Sequence, residues 1–304
     1  MIRRTADLSA CVAAMFMVAA ACAGATPTSL PVTPSPPPTP SRLASARPAL
    51  PSPTTRGTPT SAPFTSSERL SAKPLGSETD PPLGYLEYLP PGYGDGAPWP
   101  LLLYHHGSDE SGDGRERDLQ RLNRTGIPRL IARDAWPQDR PFIVLMPQHE
   151  QAGGSFCTEG EEITDFLEFA QAHYDVAPER IYLTGVSCGA IGAWEYLAQH
   201  TDEVIAAAVL LAGDGREAFA EAGCALGRVP IWAFHGEADV QVDVEGSSMP
   251  IEALQVCDDP AAVDVRVTTF PSVGHAIWNP IYDLSLDLDV YRWLLGHTNS
   301  READ

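Results

Sequence analysis

One short segment has the residue types and spacing of a serine nucleophile. Residues 185–189 read GVSCG and fit the pattern G-x-S-x-G around Ser187. An apolar strand pattern over Ile181–Thr184 enters this segment, and a helical pattern over Ala190–His200 leaves it. Such a strand–turn–helix presents the serine at a helix N-terminus, where the helix dipole favours the negative charge that develops during attack. We therefore predict that Ser187 is a nucleophile.

A serine hydroxyl needs a base, and in this arrangement the acid and then the histidine follow the serine in the chain. His200 ends the helix behind the serine, and His297 follows the last predicted helix. His235 precedes the best candidate acid. His275 remains, in the loop after a predicted strand over Val263–Phe270. We predict that His275 is the base.

The acid should leave the carboxyl end of the strand before that one. Asp239 follows the apolar run Val229–Phe234 at a distance that lets a loop return its carboxylate toward the imidazole. Glu237 and Asp243 are the competitors. We predict that Asp239 fixes the tautomer of His275 and stabilises the imidazolium without being protonated itself.

Acyl transfer at a serine also needs two N–H donors for the oxyanion. One is expected from Cys188, directly after the nucleophile, and the other from the turn after an early strand. That turn contains Ser108, which is the predicted donor, with Gly107 as the second choice. His105 and His106 are expected to order the turn.

A hydrolytic metal site is the alternative chemistry. Its ligands would come from a group of imidazoles and carboxylates: His105, His106, Asp109, Glu110, Asp113, His149 and Glu150. Their spacing matches no known ligand pattern, and no cysteine pair has CxxC spacing. We expect neither a metal nor a cofactor.

The elements around these residues alternate between short apolar runs and helical patterns, which is typical of a mostly parallel sheet with helices on both faces. No insertion is large enough for a lid domain. The predicted strands are Leu83–Leu89 (at the sheet edge), Leu101–Tyr104, Phe142–Met146, Ile181–Thr184, Val204–Leu211, Val229–Phe234 and Val263–Phe270. The predicted helices are Leu119–Arg133, Glu161–Tyr174, Ala190–His200, Ile251–Cys257 and Leu284–Leu295.

The N-terminus has the features of an export signal. Two arginines precede an uncharged apolar run over Cys11–Ala21, which is too short to span a bilayer. The small residues before Cys22 resemble a lipobox, so residues 1–22 are predicted to be a lipoprotein signal with lipidation at Cys22. The alternative is an ordinary secretory signal cleaved near Ala23 or Ala25. We expect an exported protein, either lipid-anchored or secreted.

Residues 23–73 are dominated by Pro, Thr, Ser and Ala and are predicted to be a disordered tether. Residues 74–304 are long enough for one α/β domain with a large core. The net charge of −20 argues against nucleic acid and anionic lipid as partners. Any membrane contact is expected only through the lipid anchor.

Four segments in this order carry a family resemblance: YLPPGYGDGAPWPLLLYHHGSDESGDG, RIYLTGVSCGAIGAWEYLAQH, VPIWAFHGEADVQV and VGHAIWNPIYD. Together they resemble the phospholipase/carboxylesterase-like branch of the α/β-hydrolases. That branch includes predicted peptidases and relatives of feruloyl esterases and polyhydroxybutyrate depolymerases. The likeness extends over about Leu83–His297. It implies an α/β-hydrolase fold without a large lid domain.

The resemblance also implies roles for single residues. The family's serine, acid and histidine correspond to Ser187, Asp239 and His275, and its oxyanion donor to Ser108. Trp278, which follows the histidine, matches the family pattern and is expected to line the substrate pocket. His106 is a second candidate for the pocket lining.

The four cysteines after the signal allow three disulfide pairings. We expect Cys224 and Cys257 to form a bridge, because they flank the strand that leads to Asp239. The remaining pair would be Cys157 and Cys188, and its bridge would brace the turn around the nucleophile.

These features predict an exported serine hydrolase that cleaves a small-molecule or polymer-linked carboxylic ester through an acyl-enzyme. A serine peptidase of the same fold is the second possibility. Peptidases of this fold usually carry a propeller or cap, for which this chain lacks room. A non-catalytic cell-surface binding protein is the third, and the presence of all the triad residues argues against it.

Overall fold

The centre of the computed structural model is an eight-stranded sheet formed by the residues that it describes, 65–150, 160–201 and 204–299. The strand order is β1-β2-β4-β3-β5-β6-β7-β8. The first two strands are antiparallel to their neighbours, and the other six are parallel. In chain order the strands are Leu70–Lys73, Tyr85–Tyr88, Trp99–His105, Ile143–Pro147, Val176–Val186, Ile205–Leu211, Ile231–Gly236 and Val265–Phe270.

Helices cover both faces of this sheet. Side chains alternate along each strand, so Leu102 and Tyr104 of β3 belong to one apolar core and Leu101 and Leu103 to the other. The first core packs against α1, α2, α7 and α8, and the second against α3 to α6. In chain order α1 to α8 are Glu116–Leu119, Gly126–Ala132, Gly160–His173, Cys188–Gln199, Arg216–Ala222, Glu245–Gln255, Trp278–Tyr282 and Val290–Leu295. The predicted mostly parallel sheet with helices on both faces is confirmed.

The edge of the sheet differs from the prediction. Each of the seven predicted strands is present, but the strand near Leu83–Leu89 pairs on both sides, and β1 is the edge strand beyond it. The tether was predicted to run to residue 73, so that boundary is wrong by at least the length of β1. Ser71 Oγ donates to Glu87 Oε1 at 2.9 Å, and Lys73 Nζ lies 3.5 Å from the same oxygen. These are tertiary contacts that a four-residue segment does not reveal.

Two predicted helices are interrupted by local backbone geometry. The helix expected over Leu119–Arg133 is divided into a 3₁₀ turn and α2, because Gly126 has φ +60°. The helix expected over Leu284–Leu295 forms only from Val290 onward. Leu284 and Asp287 before it have φ of 61° and 56°, which are incompatible with a right-handed helix.

Among the described residues, no helix combines the length and the apolarity needed to cross a membrane. The predicted signal with its lipidation site at Cys22, and the tether up to residue 64, lie outside the described residues.

The predicted bridge between Cys224 and Cys257 is confirmed, with a Cα–Cα distance of 5.7 Å. It joins the turn before β7 to the end of α6, and the stretch between these cysteines contains Asp239. Cys188 is also disulfide-bonded. Cys157, its predicted partner, lies outside the described residues.

Candidate active site

The predicted site residues follow the carboxyl ends of four strands. The turn at Ser108 follows β3, Ser187 follows β5, Asp239 follows β7 and His275 follows β8. Because β3 lies between β4 and β5, the chain reverses its direction of winding between β3 and β5. In open α/β sheets the crevice at such a reversal, beyond the carboxyl ends of the strands, is where ligands bind.

Ser187 occupies a strained turn that two glycines make possible. Its φ and ψ are 52° and −120°, a conformation that non-glycine residues rarely adopt. A Cβ on Gly185 would lie 2.4 Å from the carbonyl oxygen of Gly189, and a Cβ on Gly189 would lie 2.4 Å from the carbonyl oxygen of His105. The chain therefore requires glycine at both positions of the G-x-S-x-G segment. This is the tight strand-to-helix turn expected from the sequence.

Ser187, His275 and Asp239 form a continuous chain of hydrogen bonds. His275 Nε2 lies 2.8 Å from Ser187 Oγ, and His275 Nδ1 lies 2.6 Å from Asp239 Oδ2. With the proton on Nδ1, Nε2 is free to accept the serine proton. Glu237 accepts from Thr269 Oγ1, and Asp243 accepts from a backbone amide at the start of α6, so these two acids are used elsewhere.

The Asp239 carboxylate is held ionised. Burial raises its pKa, but hydrogen bonds from His275 and from the backbone amides of Gln241 and Val242 outweigh this, and the pKa is lowered overall. Such an acid keeps its negative charge throughout the neutral pH range. It can therefore hold the His275 tautomer and stabilise the imidazolium.

His235 also binds Asp239, which the sequence analysis missed. The side chain is fully buried, and its Nε2 lies 3.1 Å from Asp239 Oδ2 and 3.1 Å from the Val242 carbonyl oxygen. Since both partners only accept, Nε2 carries the hydrogen. Nδ1 lies 2.8 Å from Ser247 Oγ. The sequence did contain a signal for this contact: a histidine at the end of a buried strand, four residues before the acid. The sequence analysis weighed His235 only as a catalytic base and not as a partner of Asp239.

The turn at residues 106–108, here called the oxyanion turn after its predicted role, lies beside the nucleophile. A Cβ on Gly107 would lie 3.6 Å from Ser187 Cβ. Ser108 lines the same cleft as Ser187, and Cys188, the first residue of α4, directly follows the nucleophile. The N–H of Ser187 itself donates to the Leu211 carbonyl oxygen, which belongs to the neighbouring strand β6. Both predicted donors thus belong to segments next to the serine, and their role in holding an oxyanion stays a prediction.

The predicted role of His106 in the pocket is wrong. The residue is 3% exposed, and it is not among the described residues that line the cleft. Its Nδ1 donates to the Gly107 carbonyl oxygen at 2.7 Å, and its Nε2 accepts from the His149 backbone amide at 2.9 Å. Burial lowers the pKa of His106 to about 3, so the ring is neutral and orders the oxyanion turn from behind.

The imidazoles considered as metal ligands bind protein groups instead. His105 Nδ1 lies 2.8 Å from His149 Nε2, and His149 Nδ1 lies 2.9 Å from Glu162 Oε2. Burial also holds the pKa of His105 well below its usual range. Within the described ranges, no group of three or more His, Cys, Asp or Glu side chains is arranged to hold a metal ion.

A cleft of about 170 Å³ opens onto the nucleophile. Trp278 lines it, as predicted, and its ring makes an edge contact with His275 at 5.4 Å between centroids. Glu110 and Gln241 also line the cleft. The described lining is completed by Gly107, Ser108, Asp109, Ser187, His275 and Ala276.

Comparison with known proteins agrees with this architecture. No family model matches the sequence, and no curated protein matches it. Among solved structures, the chain is similar to a thermostable esterase, with 21% identity and a TM-score of 0.56 over 76% of this chain and 64% of that chain. It is also similar to the acylaminoacyl peptidase of Pyrococcus horikoshii, with 13% identity and a TM-score of 0.50 over 73% of this chain and 41% of that chain.

The chain has the α/β-hydrolase fold. It spans less than two thirds of the length of each of these two structures, and at these identities the similarity concerns the fold alone. Within the α/β-hydrolase fold, a nucleophile after a central strand is followed in the chain by the acid and then the histidine. Ser187, Asp239 and His275 have this order.

Proposed function

We propose that the protein is a serine hydrolase that cleaves carboxylic esters through an acyl-enzyme. The observation that carries the proposal is the hydrogen-bonded chain from Ser187 Oγ through His275 to Asp239, at 2.8 Å and 2.6 Å. A nucleophile and base within hydrogen-bond reach, with the base oriented by a third group, is the signature of an activated serine. The oxyanion turn beside it favours acyl transfer.

In the proposed reaction, Ser187 Oγ attacks the ester carbonyl carbon and passes its proton to His275 Nε2. The N–H groups of Cys188 and Ser108 hold the resulting oxyanion. As the tetrahedral intermediate collapses, the bond to the alcohol breaks, and His275 returns the proton to the leaving oxygen. Water then loses a proton to His275 Nε2 and attacks the acyl-enzyme. The bond between the acyl carbon and Ser187 Oγ breaks, His275 returns the proton to Oγ, and the acid leaves.

The size of the cleft favours small groups. Its 170 Å³ is below the 300–1,000 Å³ usual for pockets that enclose drug-sized ligands. Short acyl groups should therefore be hydrolysed faster than long ones.

The test uses the chain from about residue 65 onward and p-nitrophenyl acetate, butyrate and octanoate. Ser187→Ala should lower kcat by several orders of magnitude, about 10⁴-fold or more. Ser285→Ala is the matched control, because it removes the same hydroxyl from an exposed loop residue outside the cleft. Equal activity in the parent and Ser187→Ala would refute the assignment of the nucleophile.

A peptide p-nitroanilide series belongs in the same assay. Ser187-dependent cleavage of the anilides without cleavage of the esters would replace the esterase proposal with a peptidase. Absence of activity on both the p-nitrophenyl esters and the peptide p-nitroanilides would favour a non-catalytic binding protein.

We also propose that the protein acts outside the cytoplasm, on a small-molecule or polymer-linked ester, and is held at the membrane by a lipid at Cys22. The support is the sequence of residues 1–22 and of the tether. The test is fractionation of a bacterial host that expresses the full chain and Cys22→Ala. Release of the variant from the membrane fraction would support the anchor, and an unchanged distribution would refute it.

A further inference from the structure

Glu110 is a buried carboxyl group close to the nucleophile that the proposed reaction does not use. It is 7% exposed and lines the cleft. A Cβ placed on Gly107 would lie 3.4 Å from Glu110 Oε2 and 3.6 Å from Ser187 Cβ, so the carboxylate oxygen is within about 7 Å of the nucleophile's Cβ. A group bound at Glu110 would therefore belong to the same substrate molecule as the ester carbonyl.

The carboxylate of Glu110 has no counter-charge in contact with it. Within the described part of the chain, it makes no ion pair, although Arg124 lies near enough to lower its pKa. Burial and the neighbouring Asp109 outweigh Arg124 and the backbone amides of Gly107 and Glu110, and they raise the pKa of Glu110 to about 7. A carboxylate in this condition is stabilised by any cation that enters the cleft.

The rest of the cleft has the chemistry of a cation site. Asp109, which is exposed, adds a second negative charge, and none of the described lining residues is Lys or Arg. Trp278 supplies an aromatic ring, and such rings attract ammonium groups through their negative faces.

From this juxtaposition we infer that Glu110 is a specificity-determining residue that binds an ammonium group of the substrate beside the scissile ester. The inference rests on the proposed function and narrows its substrate class to cationic esters. Substrates that carry a carboxylate or phosphate at this position are excluded by repulsion from Asp109 and Glu110.

The ammonium group should act on kcat as well as on KM. When the oxyanion forms, an unpaired carboxylate within about 7 Å of Ser187 Cβ opposes the new negative charge. A bound ammonium neutralises that carboxylate, and its effect is larger in the transition state than in the ground state. A neutral substrate of the same shape lacks this advantage.

The experiment compares two pairs of esters that differ in charge but not in shape. On the acyl side the pair is p-nitrophenyl 3-aminopropanoate and p-nitrophenyl butanoate. On the alcohol side it is butyrylcholine and 3,3-dimethylbutyl butyrate. For each ester, kcat/KM is divided by the rate constant for alkaline hydrolysis of the same ester without enzyme. This division removes differences in the intrinsic reactivity of the esters. We expect the cationic member of at least one pair to be favoured about 10- to 100-fold in the parent, as for hydrogen bonds to charged groups.

Glu110→Gln should bring this normalised ratio to within about threefold of one, because the amide has the same shape but no charge. Asp109→Asn, in the same cleft but exposed, should lower the ratio less. Glu221→Gln removes an equal charge from an exposed position of α5 outside the cleft and controls for the long-range field. The parent ratio should persist in that variant.

Binding of n-butylammonium, with 1-butanol as the neutral control, is measured by calorimetry on the parent and Glu110→Gln. This separates the inference from the proposed function. Ester hydrolysis without charge preference, or an equal ratio in the parent and Glu110→Gln, overturns the inference and leaves the esterase standing. No hydrolysis, with n-butylammonium binding weakened at least tenfold in Glu110→Gln, refutes the esterase and supports the cation site. No binding of n-butylammonium by the parent overturns the inference.

Discussion

Replacing His235 should show how much the second imidazole on Asp239 contributes to catalysis. His235→Phe keeps an aromatic ring in a fully buried position and removes the N–H that is donated to Asp239 Oδ2. A hydrogen bond to a charged acceptor contributes about 1.5–3 kcal/mol. Here the donor is shared with the Val242 carbonyl oxygen at the same 3.1 Å, so we take a value at or just below that range, about 1–1.5 kcal/mol. The expected loss in kcat is then roughly five- to fifteenfold.

The assay must separate this effect from a loss of stability. Phenylalanine leaves the Ser247 hydroxyl without its imidazole partner, which should lower the free energy of unfolding by about 1–3 kcal/mol. Thermal melts of both proteins therefore fix a temperature at which each is fully folded, and kcat and KM for p-nitrophenyl butyrate are measured there. His235→Gln is the matched variant. Its amide can donate to Asp239, so it should recover part of kcat.

Three results would refute the reasoning. A loss of 10³-fold or more in His235→Phe would mean that His235 acts in the chemical step and not through the position of Asp239. A change below twofold, with the folded state intact, would mean that the remaining hydrogen bonds hold the carboxylate without it. A loss that appears in KM alone would place His235 in substrate binding, which its burial away from the cleft argues against.

Three further outcomes follow from the same structure. Asp239→Asn should lower kcat about 10⁴-fold, since the amide favours the wrong tautomer of the histidine, and comparable activity in steady-state assays would contradict the triad. Glu110→Gln should leave the thermal stability unchanged near pH 4, where the glutamate is protonated whether folded or unfolded. At pH 8 it should raise stability by up to about 3 kcal/mol, because the parent then carries an ionised carboxylate whose folded pKa is raised to about 7; melts that differ equally at both pH values would disprove this. Replacing Cys224 and Cys257 by serine opens a link across 33 residues and should destabilise the fold by about 3–4 kcal/mol in chemical denaturation, whereas an unchanged midpoint would show that the bridge does not constrain the unfolded chain.

Ser187 and Asp239 could be located from the sequence because each follows a strongly apolar strand. The strand before His275 contains Arg266 and two threonines and is only partly buried, so His275 was identified by its place in the order serine, acid, histidine. The strands that lead to Ser187 and Asp239 are buried throughout their last five or six residues, and continuous apolar runs of this kind are recognisable without a structure. The carboxyl ends of parallel strands meet at one edge of the sheet, so residues 88 and 36 positions apart in the chain become hydrogen-bonded neighbours. Glycines at 185 and 189 marked the turn by a local steric requirement.

Features that depend on tertiary contacts were missed, because no local pattern in the sequence indicates them. Strand β1 contains no apolar run and is held by Glu87, which lies in another strand. His106 has the composition of a pocket residue, but its orientation depends on Gly107 and on the backbone of His149, more than 40 residues away. Glu110 resembles the exposed acids around it in sequence, and only the packing of the turn places it in the cleft.

The two carboxyl groups of the site have opposite environments, and this separates their roles. Asp239 accepts hydrogen bonds from two imidazoles and two backbone amides, so its charge is satisfied within the protein and its pKa is lowered. The Glu110 carboxylate accepts from the backbone amides of Gly107 and Glu110, but burial and the neighbouring Asp109 outweigh these bonds, and its pKa is raised. Titratable groups whose environments move their pKa values apart commonly have distinct functions. Asp239 can support His275 without any substrate, whereas Glu110 makes no ion pair with the described residues and would gain one only when a substrate brings a cation. The ionised Glu110 carboxylate lowers the stability of the folded protein, so packing does not explain its presence in the cleft. Recognition of a cationic ester, as we propose, gives it a function.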